Sequence, residues 1–153
     1  MGKVDVGLYA DSSSRDEWET LEIALETLEL LDEEAARAYY TRNSDDIAQA
    51  LDEDSLYEFT EQLIREVSDL ISERLPDYQY ADYSNTGDGW GIWVSHDSLQ
   101  DDIRYGEVAT VDDGGNIVVK GEPIPTLAVH VNDHGNTTLY RVKIELEEVW
   151  SVV

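Results

Sequence analysis

The fold is decided where the spacing of apolar residues changes, in the stretch SDLISERLPDYQYADY, residues 68–83. Up to Leu75 the apolar residues recur at helical spacings of three and four. From Tyr78 onward, aromatic and β-branched residues alternate with polar ones, which is typical of strands. Pro76 separates the two patterns, because the residue before a proline is pushed away from helical backbone angles. The sequence therefore predicts a helical half at about residues 12–75 and a strand half at about residues 78–153.

Three helices are predicted in the first half. Two begin at capping boxes, in which a serine is followed three residues later by a glutamate: Ser14 with Glu17, and Ser55 with Glu58. The first helix runs for about five turns and its apolar face comprises Ala24, Leu28, Leu31, Ala35 and Ala38. A short second helix, capped by Ser44, follows, and the third extends from Ser55 to the turn before Pro76.

Strands are predicted throughout the second half, at Tyr78–Tyr83, Trp90–Val94, Tyr105–Val111, Ile117–Lys120, Thr126–Val131, Thr137–Leu146 and Val149–Val153. Glycine- and asparagine-containing turns separate several of them, and connections this short join antiparallel neighbours. We therefore predict an α+β fold in which the N-terminal helices pack on one face of a C-terminal antiparallel β-meander. The length of 153 residues fits a single domain over residues 1–153.

The charge excludes several functions. Asp and Glu number 35 against 10 Lys and Arg, a net charge of −25. So negative a surface repels phosphate, which excludes direct binding of nucleic acid and of anionic membranes. The chain has no cysteine, and no apolar run is long enough for a membrane span. Motifs for phosphate loops, serine hydrolases and zinc proteases are absent, so we expect no enzyme, no cofactor and a cytoplasmic location.

Five glutamates form one row on the first predicted helix, at spacings of three, four, three and four: Glu19, Glu22, Glu26, Glu29 and Glu33. At about 100° per residue they occupy a sector of about 80°, away from the apolar face, and the row spans roughly 21 Å. Like charges at these spacings weaken a helix by a few tenths of a kcal/mol per pair, and no lysine lies between them. The row therefore predicts a surface selected for binding rather than for stability.

Further acidic residues surround the second predicted helix, at Asp45, Asp46, Asp52, Glu53 and Asp54. A single acidic helix cannot imitate a nucleic-acid duplex, which carries a charge every ~1.7 Å of its axis. We therefore expect both groups of acids to contact a basic partner. Ile23 and Leu30 lie close to the glutamate row, where they are either apolar anchors for a partner or contacts within the chain.

Two histidines four residues apart, His130 and His134, resemble a metal-binding pair. The first falls on a predicted strand and the second in the following turn, so nothing directs both rings to one ion. A hairpin turn rich in Gly and Asn is the simpler interpretation, and we predict no metal site.

In size, acidity and absence of cysteine the chain resembles the DNA-mimic anti-defence proteins of phages and mobile elements, the anti-CRISPR and anti-restriction inhibitors. The resemblance implies an acidic inhibitor that blocks the basic DNA- or RNA-binding channel of a host defence nuclease complex. Two alternatives stay open: an immunity protein for a basic nuclease toxin, and a cytoplasmic protein of a halophile whose acidity is an adaptation to salt.

Overall fold

The structure is a computed structural model that describes residues 3–12, 16–52, 58–121, 123–143, 148–150 and 152. It contains helices and two sheets whose strand pairs are mostly antiparallel, which confirms a mixed α and β chain. The chain divides into two compact units, Met1–Ser95 and His96–Val153, which are described separately below. No helix in the described ranges is both long and apolar enough to cross a membrane.

Unit 1 comprises four helices and a three-stranded sheet. The elements are β1 (Gly7–Asp11), α1 (Glu17–Leu31), α2 (Glu33–Arg42), α3 (Ser44–Ala50), α4 (Thr60–Ser72), β2 (Gln79–Tyr83) and β3 (Gly89–Val94). The strand order is β1-β3-β2, and both pairs are antiparallel. The short apolar opening of the chain thus becomes an edge strand, which the sequence prediction did not include.

The core of unit 1 lies where α1 and α4 pack against each other and against the sheet. Trp90 of β3 is completely buried there, together with apolar residues from both helices: Leu21, Leu28, Ile64, Val67 and Ile71. The indole Nε1 of Trp90 donates a hydrogen bond to Ser68 Oγ at 2.9 Å, so the buried polar atom has a partner. The apolar periodicity of α1 and α4 is therefore explained by this one interface.

Unit 2 comprises α5 (His96–Arg104), β4 (Ala109–Val111), β5 (Ile117–Val118), β6 (Leu127–Val131) and β7 (Thr137–Arg141). The four strands form a sheet in the order β5-β4-β6-β7. Three neighbouring elements, β4, β5 and β6, do not form a meander, because β6 pairs with β4 in parallel rather than with β5. Antiparallel pairing returns between β6 and β7.

The long first helix predicted from sequence is wrong, because it ends at Asp32. Asp32 has an extended backbone (φ −155°, ψ 91°) and caps α2, its Oδ1 accepting from the backbone N–H of Ala35 at 3.1 Å. Its Oδ2 accepts from Arg74 Nε at 2.7 Å. Because these two interactions stabilise an aspartate at the start of a new helix, the chain breaks there although its apolar periodicity continues.

The arrangement of the second half also differs from the predicted meander. Residues 96–104 form α5, which was not predicted, and the strand predicted over Tyr105–Val111 is limited to Ala109–Val111. The strands β2 and β3 belong to unit 1 with the helices, so the units meet at Ser95 and not at Pro76. Residues 144–146 of the sixth predicted strand lie outside the described part, as do Ser14 and Ser55. The described residues of the last predicted strand, 149, 150 and 152, form no strand. The single domain over 1–153 stays a prediction.

Candidate acidic binding surface

Three glutamates of α1 form the centre of the candidate surface. Glu22, Glu26 and Glu29, here called the glutamate cluster, are all exposed, and α1 contains neither lysine nor arginine. Among the ion pairs of the described residues, none involves a member of the cluster. Their spacings of four and three place them as neighbours along one side of the helix, so their charges reinforce one another.

Tyr40 of α2 lies beside the glutamate cluster. Its side chain is 43% exposed. Partial burial raises the pKa of the Tyr40 hydroxyl, and the nearby charges of Glu22, Glu29 and Glu26 raise it further. The negative potential of α1 therefore extends onto the neighbouring helix, across an aromatic ring that solvent reaches. No pattern in the sequence brings Tyr40 to these glutamates, because the contact depends on how α2 folds back on α1.

The predicted row of five glutamates on one helix is wrong. Glu33 is the first residue of α2 rather than part of α1, and its Oε1 is 3.1 Å from the guanidinium of Arg37. Glu19 remains on α1 but is only partly exposed. The break at Asp32 is the reason, since it turns Glu33 away from the axis that the other four share. Of the five predicted glutamates, Glu22, Glu26 and Glu29 are the three that are fully exposed on α1.

A second group of acids surrounds Tyr39, on another side of α2. The buried Tyr39 hydroxyl donates to Glu66 Oε2 of α4 at 2.8 Å. Burial, and then the hydrogen bond to Glu66, raise the pKa of Tyr39, and the charge of Asp46 acts in the same direction. The hydrogen bond joins α2 to α4, and the charge of Asp46 in α3 acts on the same hydroxyl. Glu66 is exposed, so one of its carboxylate oxygens bonds the buried Tyr39 hydroxyl while the residue still belongs to the solvent-facing surface.

The predicted acids around α3 are exposed where the structure describes them. Asp45 and Asp46 lie in the first turn of α3 and Asp52 follows its end. Carboxylates in a first helical turn are stabilised by the helix dipole, so Asp45 and Asp46 have a structural role independent of any partner. Glu53 and Asp54 lie outside the described residues.

An acidic depression on α4 was not predicted as a site. It has a volume of about 450 Å³, and its acidic lining consists of Glu58, Glu61, Glu66 and Asp69. Arg65 lies in the same depression and is 3.9 Å from Glu61, which partly neutralises it. The alternation of acidic and apolar residues along α4 is the signal that could have identified it.

The two apolar residues near the predicted row have different environments. Ile23 is partly buried and packs against the core of unit 1, as expected for a contact within the chain. Leu30 is 66% exposed and follows Glu26 by one helical turn. Leu30 and Tyr40 thus place exposed apolar surface on the helices that carry the charges. Apolar and aromatic residues of this kind are typical of the centres of protein interfaces.

The two histidines of the sequence pair lie in different environments. His130 Nε2 is 3.2 Å from Asp113 Oδ1, in the turn between β4 and β5, while His134 is exposed in the turn after β6. Across the described residues, no group of three or more metal-binding side chains converges. This contact joins strand β6 to the turn between β4 and β5.

The chain was compared with protein-family models, with curated proteins and with solved structures, and none of them matches it. Its function must therefore be inferred from the charges and contacts of the acidic surface on unit 1.

Proposed function

We propose that the chain is an acidic inhibitor that imitates the backbone of a nucleic acid and occupies the basic DNA- or RNA-binding channel of a host defence nuclease complex. The proposed class is that of anti-CRISPR and anti-restriction proteins of phages and mobile elements. In this proposal the chain is not an enzyme, needs no cofactor, and acts in the cytoplasm of a bacterial or archaeal cell.

The observation that carries the proposal is the glutamate cluster. Three like charges at helical spacings of four and three lack basic neighbours on their own helix, and such an arrangement costs stability. In contrast, Glu33, Glu61 and Asp32 each lie beside an arginine. The acidic residues are thus neutralised by arginines at some positions and left without a basic neighbour at the glutamate cluster. Such a cluster is suited to binding a partner that supplies the positive charge.

The proposed mechanism is steric and electrostatic. The carboxylates of Glu22, Glu26 and Glu29 would stand where phosphates stand and pair with lysine and arginine side chains of the target. Exposed acids on α2, α3 and α4 would extend the contact, since one helix alone presents too few charges for a duplex. Opposite net charges would accelerate association, and added salt would weaken it.

The test is capture of the partner from bacterial and archaeal lysates by the immobilised protein, at low and high salt. We expect a basic nucleic-acid-binding protein that high salt or duplex DNA displaces. Substitution of Glu22, Glu26 and Glu29 by Lys should abolish capture. Substitution of the same residues by Gln, which removes charge without changing size, should weaken binding of the captured protein by at least roughly tenfold, as for loss of several charge-assisted hydrogen bonds.

A matched control removes three exposed charges from unit 2, by Asp97→Asn, Glu107→Gln and Asp133→Asn. It carries the same net charge as the glutamine variant, so it should bind the captured protein as the unsubstituted chain does. Equal weakening by both variants would show that only net charge matters and would reject the glutamate cluster as the contact. Circular dichroism of each variant confirms that the fold is retained.

The two alternatives predict different results in the same experiment. An immunity protein would capture a basic nuclease toxin rather than a defence complex. A halophile protein would capture no basic partner, and it would unfold at low salt, because its acidic surface needs molar salt to be screened. A stable fold at ordinary ionic strength together with salt-sensitive capture supports the inhibitor.

A further inference from the structure

One face of the sheet in unit 2 carries a contiguous group of apolar side chains. Val111 of β4 lies opposite Ile117 of β5. Ala128 of β6 lies opposite Tyr140 of β7, and Val142 follows Tyr140 by two residues. Paired residues share a face of a sheet, and so do residues two apart along one strand. The parallel register of β4 with β6 aligns the two pairs, so all five side chains lie on the same face.

These five residues line a groove of about 350 Å³, here called the sheet groove. Ala128 is buried, while Ile117 and Tyr140 are each nearly half exposed. Pockets that hold small organic molecules occupy roughly 300–1,000 Å³ and are lined mainly by apolar and aromatic side chains. The sheet groove therefore has the size and the lining for one small ligand.

The rest of the lining of the sheet groove is basic. It consists of Gly115, Arg141 and Lys143, and none of the residues that line the groove is acidic. Arg141 and Lys143 are exposed, and neither forms an ion pair within the described part of the chain. Both lie at the end of the sheet, since β7 is last in the strand order. From such an edge their charged groups, carried on long flexible stems, can reach the groove.

The charge of the sheet groove is opposite to that of the chain. The sequence has 35 acidic and 10 basic residues. The acidic depression on α4 is lined by four acids, and a depression around Tyr105 and Lys120 in unit 2 includes Glu107. In contrast, the sheet groove combines apolar residues with two basic residues and no acid. It is therefore complementary to an anion with an apolar body, and a cation is not suited to it.

We propose that the sheet groove binds a small organic anion in which a carboxylate is joined to an aromatic ring or a short alkyl chain. The ring or chain would lie against Ile117, Tyr140 and Val142, so that water leaves apolar surface on both sides. The carboxylate would pair with Arg141 and Lys143, which gives selectivity for the anion over a neutral molecule of the same shape. All residues of this site belong to unit 2, so it does not rest on the function proposed for the acidic surface of unit 1.

The test uses hydrocinnamate as the probe and hydrocinnamamide, which has the same shape without the charge, as its control. We expect the full chain to bind hydrocinnamate at least roughly tenfold more tightly than the amide, because a charge-assisted hydrogen bond is stronger than a neutral one. Titration followed by NMR measures both affinities. The signals of Ile117, Ala128 and Tyr140 should shift with either probe, since the apolar contacts are the same.

The double variant Arg141→Gln with Lys143→Gln should bind hydrocinnamate no more tightly than the amide, and its affinity for the amide should be unchanged. An unchanged affinity for the amide also shows that the groove is intact in this variant. A matched control, Arg104→Gln with Lys120→Gln, removes two exposed positive charges of unit 2 outside the groove. It should weaken hydrocinnamate binding by less than about twofold, because distant exposed charges are screened by salt.

Several results would overturn the proposal. Equal affinities for hydrocinnamate and its amide would show that the groove does not select an anion, and equal weakening by the two double variants would show that only net charge matters. Binding of neither probe would exclude a small ligand of this kind. Shifts of the same signals with an acidic apolar peptide but not with hydrocinnamate would assign the groove to a protein segment. Shifts that depend on protein concentration without any probe would assign it to a second copy of the chain.

Discussion

At the scale of single residues, Tyr40 reports whether the glutamate cluster has the geometry described. Its pKa is raised by burial first and by Glu22, Glu29 and Glu26 next. Replacing these three residues by glutamine should lower the pKa of Tyr40 toward its ordinary value without reaching it, because the burial remains. Titration of ¹³C-labelled tyrosine followed by NMR measures the shift.

The control with Asp97, Glu107 and Asp133 substituted should leave the pKa of Tyr40 unchanged. An unchanged pKa of Tyr40 in the glutamine variant would mean that α2 does not lie beside the cluster.

Asp32 is the residue on which the break between α1 and α2 depends. The hydrogen bond from Arg74, followed by that from the backbone N–H of Ala35, holds the pKa of Asp32 below its ordinary value. A carboxylate with a lowered folded pKa stabilises the fold above the unfolded pKa of about 4, and this stability is lost as the pH falls through the folded pKa. Asp32→Asn should therefore destabilise the protein at pH 7, and the deficit should shrink at about pH 3.

Asp32→Ala should destabilise the protein more than Asp32→Asn, because asparagine still caps a helix and alanine does not. Urea unfolding of the three proteins at both pH values measures the difference. A deficit for Asp32→Asn that stays constant down to low pH would show that the ion pair with Arg74 contributes nothing to stability.

At the scale of helices and strands, α1 should be more stable without its charges. The cluster contains two pairs of like-charged neighbours, Glu22 with Glu26 and Glu26 with Glu29. Repulsion within each pair lowers the stability of the helix by roughly 0.2–0.5 kcal/mol in low salt. The triple glutamine variant should thus raise the free energy of unfolding by about 0.5–1 kcal/mol while weakening binding. In about 1 M salt the gain should vanish, because the repulsion is screened. A stability gain that persists in high salt would indicate a different cause, such as helix propensity.

The sequence was sufficient for elements whose pattern is local. The apolar periodicity of α4 and the alternation in β2, β3 and β6 correspond to observed elements. This is because the burial of one face of a helix or strand determines the spacing of its apolar residues. The break at Asp32 escaped prediction because the apolar face continues on both sides, while Arg74, which stabilises it, is 42 residues away. Likewise, the parallel pairing of β4 with β6 depends on long-range contacts that turn lengths do not specify.

The candidate surface, too, was predictable only where it depends on the spacing of residues within one helix. Glu22, Glu26 and Glu29 share one side of a helix by spacing alone, and they remain together in the structure. Tyr40 could not be predicted as their neighbour, and Glu33 could not be separated from them, because both depend on the direction that the chain takes after Asp32. The pairing of Tyr39 with Glu66 joins residues 27 positions apart and gives no local signal.

At the scale of the whole molecule, the charge is unequally divided between the two units. Residues 1–95 contain 24 acidic and 6 basic residues, a net charge of −18, and residues 96–153 contain 11 and 4, a net charge of −7. The glutamate cluster and the acids around α3 and α4 all belong to unit 1. The acidic surface to which we assign the proposed function therefore belongs to one unit of the chain.

Unit 1 should fold and bind without unit 2. Every residue of its large buried cluster, from Ala10 to Ile92, lies within residues 1–95. A fragment of residues 1–95 should unfold cooperatively, with the fluorescence of a buried Trp90, and should capture the same partner with an affinity within about threefold of the full chain, as expected for independent sites. A folded fragment that captures nothing would show that the acidic surface of unit 1 is not the binding site.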